Sequence, residues 1–411
     1  MRQWMVAAKK ADFYVIAEKF HVDPVVARII RNREVIGEKN IRIYLGGNLS
    51  DLSDPHQMKD MDRLVEILAQ KIRKQVHIRI IGDYDVDGVT SSHLFLTALR
   101  RVGAKVDVVI PHRIQDGYGL SLHLLQQAKE DGVDTILTCD NGIAAIDEIA
   151  WAKAQKMTVL VTDHHAVPFE EHEGRRTEKK SLADAVVNPH QQDCGYPYKE
   201  LCGAGVAWNV IRVLYENYDM DKREAEDLLD FVAMATVCDV MSLTGENRIL
   251  VKEGLKRIRH TKNIGLQALM QACNVQPENI SAYHFGYVLG PCVNATGRLD
   301  TARHALRLFE TGQETEAEEI ARDLVDLNQE RKELTLQGVE MAKKLCEEGG
   351  YENDPVLVLF LPDVHESIAG LIAGRIREMY NRPVFVLTRG EEGVKGSGRS
   401  TENYSMYENM C

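Results

Sequence analysis

A chain of 411 residues, 44% of them hydrophobic, holds more apolar material than one typical core takes up, so two or three domains are expected. No apolar run approaches the ~18 residues that a membrane span needs. Met1–Lys10 also lacks the apolar stretch of a signal peptide, and the chain reads as cytoplasmic.

A formal charge of −12 excludes a surface coated in basic residues, so any nucleic-acid binding must use a local basic track. Residues 1–75 read as a helical N-terminal extension with a break at Asp51–Pro55. From Val76 strand and helix patterns alternate: Val76–Ile81, a helix over Thr90–Arg101, Lys105–Ile110, a helix near Leu122–Lys129, Thr135–Cys139, a helix through Ile143–Ala154, and Met157–Thr162. Strands separated by single helices imply an α/β fold with a doubly wound parallel sheet, because parallel neighbours need a crossover and the helices then cover both faces. Ligands bind such sheets at the carboxyl ends of the strands, where Asp85, Asp140 and His164 fall.

After the polar segment Glu170–Lys180, Ala183–Val187 suits a further strand. Helices over Gly203–Tyr218, Glu224–Thr236 and Asn247–Arg259 fill out a domain spanning 76–270. The looser stretch Thr261–Pro291 marks its boundary. Residues 271–350 form a connecting segment in which Gln313–Glu348 predicts one long helix, with Leu324, Leu327, Arg331 and Leu334 at helical spacing. In 351–411, Val356–Leu361, a helix over Ser367–Met379 and Pro383–Leu387 predict a second, smaller α/β domain. Eight scattered cysteines with no Cys-x-x-Cys pair argue against a zinc ribbon or a disulfide framework.

Four short runs carry the chemistry. In Gly82-Asp83-Tyr84-Asp85-Val86-Asp87-Gly88 the acids could form an ordinary turn or open a calcium loop. The calcium loop fails, because Val89-Thr90-Ser91-Ser92 follows in place of the later glutamate. Alternate residues leaving a strand point the same way, so Asp85 and Asp87 can present carboxylates on one side, each to a different metal, with Asp83 joining or bracing them. Asp140-Asn141-Gly142 alone is a common turn, and Asp239 alone means little. Asp163-His164-His165 puts two imidazoles after an acid at a strand's end, where Asp163 could instead cap a helix. Clustered carboxylates repel one another unless cations sit among them, so a pair of divalent ions and a phosphate-cleaving activity are expected.

In this order the four runs resemble the DHH phosphoesterase superfamily. Together with Asn294-Ala295-Thr296-Gly297-Arg298 they resemble its RecJ branch, the single-strand-specific 5′-to-3′ DNA exonucleases, and the likeness runs over nearly the whole chain. The resemblance implies Asp85 as ligand of one metal and Asp87 of the other, Asp140 bridging both, His164 and Asp239 completing the second, and Asp83 as the acidic lead residue. His165 would face the scissile phosphate or supply a proton to the leaving oxygen. Oxygen and imidazole donors suit Mn²⁺ first and Mg²⁺ second. The implied reaction is release of nucleoside 5′-monophosphates by two-metal activation of a bridging water.

Two arginine-bearing runs, read as turns, would supply phosphate contacts: Asn294 and Arg298 in the first, and Gly396, Ser397, Gly398, Arg399 and Ser400 in the second, which resembles the phosphate-contacting loop of the DHH-associated second domain (DHHA1-like). Glycine backbone can approach phosphate closely and a guanidinium fork can grip it; for each run a surface loop with a solvated arginine is the alternative. Single-stranded DNA is the implied partner, with single-strand-binding protein and a helicase beside it and no membrane. Two departures stand out. Val364-His365-Glu366-Ser367-Ile368-Ala369-Gly370 replaces the family's usual sequence there. The chain also ends at Cys411, without the family's later glycine-and-histidine motif and oligonucleotide-binding barrel, as a truncated second domain would. A phosphodiesterase for short oligoribonucleotides or cyclic dinucleotides, and a catalytically silent nucleic-acid-binding scaffold, are the competing readings.

Overall fold

The computed structural model describes residues 9–411 apart from 114–115, 173–174, 300, 352–353, 391–392, 407–408 and 410–411, so the first eight residues of the expected extension lie outside the described residues. Three short helices come first, α1 (Phe13–Phe20), α2 (Pro24–Asn32) and α3 (Glu38–Gly46). Asp12 and Asp23 accept first-turn N–H groups of α1 and α2, and Ile30, Val35, Ile41 and Tyr44 close a small core there. Helix α4 (Met61–Arg73) lays its apolar stripe of Leu64, Leu68 and Ile72 on the main core.

The alternation follows as expected: β1 (Ile78–Ile81), α5 (Val86–Arg101), β2 (Val106–Val109), α6 (Leu122–Glu130), β3 (Thr135–Cys139), α7 (Ile146–Ala154) and β4 (Thr158–Thr162). A small antiparallel hairpin, β5 (Phe169–His172) with β6 (Arg175–Glu178), occupies the polar segment before β7 (Ala185–Val187). Five strands pair in parallel in the order β2-β1-β3-β4-β7. The two-residue period splits each strand between two cores. Ile78 and Ile80 face one with α4 and α5, while Ile81 faces the other with Leu125 and Ile149.

Helices α8 (Gly203–Asn217), α9 (Lys222–Glu226), α10 (Leu229–Cys238) and α11 (Gly245–Arg257) continue the first core. The stretch 261–291, read as loose, is ordered: α12 (Ile264–Ala272), α13 (Ala282–His284) and a π-helical turn (Phe285–Leu289) run through it into α14 (Gly290–Leu299). Its apolar residues fall at helical spacing, and Leu266, Leu269, Phe285 and Leu289 are all buried in the main core. After α15 (Ala302–Glu310), helix α16 (Glu314–Gly349) spans 36 residues, about 54 Å at the usual rise. Its first half packs Ala317, Ala321 and Leu324 into the main core, and its second half packs Val339, Ala342 and Cys346 into a separate one. That second core belongs to β8 (Leu357–Phe360), α17 (Glu366–Tyr380), β9 (Val384–Gly390) and β10 (Gly393–Arg399), a three-stranded mixed sheet. Among the described residues, no helix is long and apolar enough to cross a membrane.

Candidate metal centre

Strand register builds the site. Ile81 lies opposite Thr138, Cys139 opposite Thr162, and Thr162 opposite Val187, so the residues leaving β1, β3 and β4 emerge along one edge. The strand order reverses between β1 and β3, the switch point where doubly wound sheets bind ligands. Asp83 and Asp85 leave one side of that point and Asp140 the other. Helix α5 begins at Val86, so the expected alternation along an extended run is not what aims Asp85 and Asp87. Asp85 is the helix cap, accepting the Gly88 N–H at 3.0 Å, and Asp87 stands in the first turn. Asp87 in turn accepts N–H groups from Gly203 (2.6 Å) and Ala204 (2.8 Å) at the start of α8, where the helix dipole favours an anion. A side chain at position 203 would bring a Cβ to 2.6 Å from that of Asp140, so only glycine lets α8 come this close. Asp140 itself holds φ +60°, a left-handed conformation uncommon outside glycine.

Three overlapping groups bring their donor atoms within 4.8 Å of one another: Asp83, Asp85 and Asp140; Asp87, His164 and Asp239; and Asp140, His164 and His165. His164 Nε2 lies 3.1 Å from Asp140 Oδ1, 3.6 Å from Asp87 Oδ2 and 3.7 Å from Asp239 Oδ2. Yet Asp83 Oδ1, Asp140 Oδ1 and His164 Nε2 are buried without a hydrogen-bond partner. Unpaired buried polar atoms are costly, and converging oxygens with a ring nitrogen are the donor set that divalent cations take. The residues present therefore fit a pair of such ions. Electrostatics agree. Burial and then the charge of neighbouring aspartates push Asp83 and Asp239 each up to about 8, raise Asp85, and hold Asp140 well above the usual carboxylate range.

Asp163 faces away from this cluster. Its Oδ2 accepts the Ile143 N–H at 2.9 Å, and its Oδ1 accepts those of His164 (2.7 Å) and His165 (3.1 Å) and sits 2.8 Å from His165 Nδ1. The reading of Asp163 as a helix cap is corrected: no helix begins there, and its carboxylate instead braces the loop carrying both histidines. Burial is the largest single influence and disfavours charge on both partners, but their mutual hydrogen bond and attraction, with the N–H groups on Asp163 and the charges of Asp239 and Asp87 near His165, together outweigh it, lowering Asp163 and lifting His165 to about 9. The Tyr118 hydroxyl lies 3.0 Å from His165 Nε2 and donates to the Asp140 carbonyl at 3.1 Å. Asn188, leaving β7, donates to the His165 carbonyl.

Asn294 and Arg298 line a cavity of about 340 Å³ with Asp83 and Asp85. They do not form a turn: both stand on α14, where Gly297 packs against the Tyr84 carbonyl so closely that a Cβ would lie 2.4 Å from it. The glycine there serves helix-to-loop contact. Asn294 Oδ1 accepts the Val86 N–H at 3.2 Å, and Arg298 Nη1 donates to the Ser367 carbonyl at 2.6 Å. Burial, then the charges of Arg113 and Arg331, hold Arg298 down at about 10. The second run is not a turn either. It forms β10, whose glycines admit close neighbours from β9 such as Leu387 and Phe385. Gly396 lines an adjoining cleft of about 180 Å³ with Tyr84, Arg113, Tyr118 and Lys395. Ser397, Gly398, Arg399 and Ser400 line neither space. Ser397 and Arg399 lie over Gly370, and Ser400 Oγ accepts the Met406 N–H. His365, in the segment that departs from the family's usual sequence, caps α17. Sequence reasoning missed Arg113, Tyr84 and Tyr118; an aromatic between two glycines, Gly117-Tyr118-Gly119, was the available signal, and Gly119 is needed because a Cβ would lie 2.8 Å from that of Asn141.

Residues 77–236 match the DHH family, N-terminal domain. Among curated proteins, the single-stranded-DNA-specific exonuclease RecJ of Haemophilus influenzae is 36% identical over 397 residues, covering 93% of this chain and 67% of that protein. RecJ of Bacillus subtilis is 33% identical over 96% of this chain and 48% of its own length. The chain thus spans about two thirds of the first and about half of the second. A crystal structure of exonuclease RecJ bound to manganese superposes with a TM-score of 0.73 at 32% identity, covering 86% of this chain and 85% of that one. RecJ of Thermus thermophilus in complex with Mn²⁺ gives 0.80 at 29% identity, covering 99% and 56%.

Proposed function

Because the chain belongs to the RecJ family of DHH-domain proteins, we propose that it is a metal-dependent exonuclease that degrades single-stranded DNA from the 5′ end and releases nucleoside 5′-monophosphates. The observation that carries this reading is the buried convergence of Asp83, Asp85, Asp87, Asp140, His164 and Asp239, with orphaned donor atoms aimed at one another.

In this reading Asp83, Asp85 and Asp140 would hold one cation and Asp87, His164 and Asp239 the other, with Asp140 shared between them. When bound, Mn²⁺ or Mg²⁺ supplies Lewis-acid stabilisation of the phosphoryl oxygens and an activated water for in-line attack. The protein's own groups do the rest. The α8 N-terminus fixes Asp87, and the Gly88 N–H fixes the Asp85 carboxylate. Asp163 holds the His165 ring through Nδ1, leaving Nε2 beside the Tyr118 hydroxyl and directed to the leaving oxygen or a phosphate oxygen. Arg298, half-buried and without a carboxylate partner among the described residues, offers its remaining N–H groups to the strand's phosphates in the cavity it shares with Asp83 and Asp85. Arg113, stacked 4.8 Å over Tyr84, widens that positive wall, and Gly396 lines the adjoining cleft beside Arg113 and Lys395, while Ser397, Gly398, Arg399 and Ser400 stand apart from both spaces on the second domain. We assign the protein to the cytoplasm, acting beside single-strand-binding protein and a helicase.

The test is degradation of end-labelled strands with Mn²⁺. Single-stranded DNA labelled at the 5′ end should yield mononucleotide from the first time point, with duplex and RNA resistant. Turnover confined to strands of two to five nucleotides would overturn the assignment in favour of an oligonucleotide phosphodiesterase.

A further inference from the structure

Tyr283 and Tyr287 are 62% and 73% exposed, yet they stack on each other with ring centroids 5.1 Å apart and planes within 25°. They stand on the continuous run from α13 through the π-helical turn into α14. Such turns concentrate at functional sites. The exposed and half-buried positions Tyr283, Tyr287, Pro291, Asn294 and Arg298 recur at intervals of four, four, three and four residues and so form one stripe along the run. The stripe ends inside the cavity that Asn294 and Arg298 share with Asp83 and Asp85. Its inner side is anchored, since the Cys238 thiol donates to the Phe285 carbonyl at 3.3 Å, one residue before Asp239.

We propose that Tyr283 and Tyr287 form a stacking platform for bases of the single strand outside the cleft, on the side leading away from the scissile phosphate. The proposal rests on the exonuclease reading above. Every base has a π-face, so aromatic platforms grip single strands without regard to sequence. Continuity with the cavity that Arg113 and Arg298 line favours a nucleic acid over a protein partner. The neighbours on the run also favour it: Ser281 and His284 are polar, where a protein hot spot would need an apolar surround. From Tyr287 to Arg298 the helix rises roughly 16 Å, about five stacked nucleotides at ~3.4 Å each. Only strands longer than that reach the platform.

The test compares the parent with the Tyr283→Ala/Tyr287→Ala double variant, using Mn²⁺ and thymidine strands of 3 and 20 nucleotides, and repeats the binding of the 20-nucleotide strand by fluorescence anisotropy in EDTA. The expected result is a KM for the long strand raised roughly tenfold or more, with kcat and the short strand unchanged and both Phe substitutions close to the parent. An unchanged KM for the long strand overturns the proposal and leaves the face to a protein partner. Equal losses on both strands overturn it as well. If the parent degrades neither strand, the exonuclease reading fails separately. Binding in EDTA then decides the platform: weaker binding by the double variant supports it, and equal binding overturns it.

Discussion

Two clusters of like charge meet at the cavity shared by Asp83, Asp85, Arg113 and Arg298. On one side, aspartates at the strand ends are buried together, and each raises the others' affinity for protons. On the other, Arg113, Arg298, Arg331 and Arg399 crowd so that burial and mutual repulsion hold Arg298 down at about 10, while burial and then Arg375 lower Arg331. The acids are packed on one rigid sheet edge within 4.8 Å groups, a spacing that only small, highly charged cations can neutralise. The arginines are spread over the β2–α6 connection, α14, α16 and β10, across two domains. That spread suits a long flexible polyanion, whose charges arrive one phosphate at a time. Strain in the first cluster is therefore expected to be relieved all at once by metal, and in the second gradually by substrate.

The sharpest way to break this comparison is Asp140→Asn. Asparagine tolerates the left-handed backbone at this position, so the substitution removes charge without disturbing the fold. Loss of the shared ligand should cut kcat/KM by about 10³ or more. In EDTA the same variant should melt higher than the parent, by about 2–4 °C for each kcal/mol of repulsion relieved. The parent should gain about 2.7 kcal/mol of stability at Mn²⁺ a hundredfold above Kd, and the variant little. A variant that melts lower in EDTA would show that repulsion among the acids is outweighed by the contacts Asp140 makes as a carboxylate.

On the basic side no single substitution should be as severe. Arg298→Ala removes a charged donor worth about 1.5–3 kcal/mol, roughly 10- to 100-fold in kcat/KM. Arg298→Lys should recover only part of this, because a single ammonium cannot both hold the Ser367 carbonyl and fork onto phosphate. Full recovery by lysine would mean that charge alone matters there. Between the two regions, Asp163→Asn should lower kcat by roughly tenfold to a hundredfold with KM little changed, since the side chain holds His165 and touches neither cluster. A matching rise in KM would instead place Asp163 in substrate binding.

The same contrast explains what the sequence disclosed. Asp83, Asp140 and His164 follow β1, β3 and β4 within two residues, and parallel register aligns strand ends automatically, so local pattern suggested gathering those three, whereas Asp85 and Asp87 are the cap and first turn of α5. Asp239 was reached only by likeness, as it ends a helix rather than a strand. Asn294 and Arg298 were mistaken for a turn because Gly297 signals flexibility in sequence, whereas here it lets α14 touch the Tyr84 carbonyl. The glycines of β10 misled in the same way, being small to admit Leu387 and Phe385. Arg113 had no motif around it and Tyr118 only its flanking glycines, Gly117 and Gly119, and their role depends on how the β2–α6 connection folds over the strand ends.

The smallest effect is the most diagnostic of the graded side. Each phosphate-contacting arginine should release condensed counterions on binding, so log Kd against log salt for a 20-nucleotide strand has a slope that falls by about 0.7 for every such residue removed. Arg113→Gln, which keeps the side chain over Tyr84 but drops its charge, should lower the slope by that amount. Its effect on kcat at saturating substrate should be small. Arg223→Gln is the control, because Arg223 is occupied by Asp221 on the exposed α9 and should leave the slope as it was. Equal slopes for the parent and Arg113→Gln would mean that this arginine shapes the cleft without meeting phosphate. The cluster would then shrink to Arg298 and the residues of β10, and the gradual neutralisation inferred for the basic side would lose its outermost member.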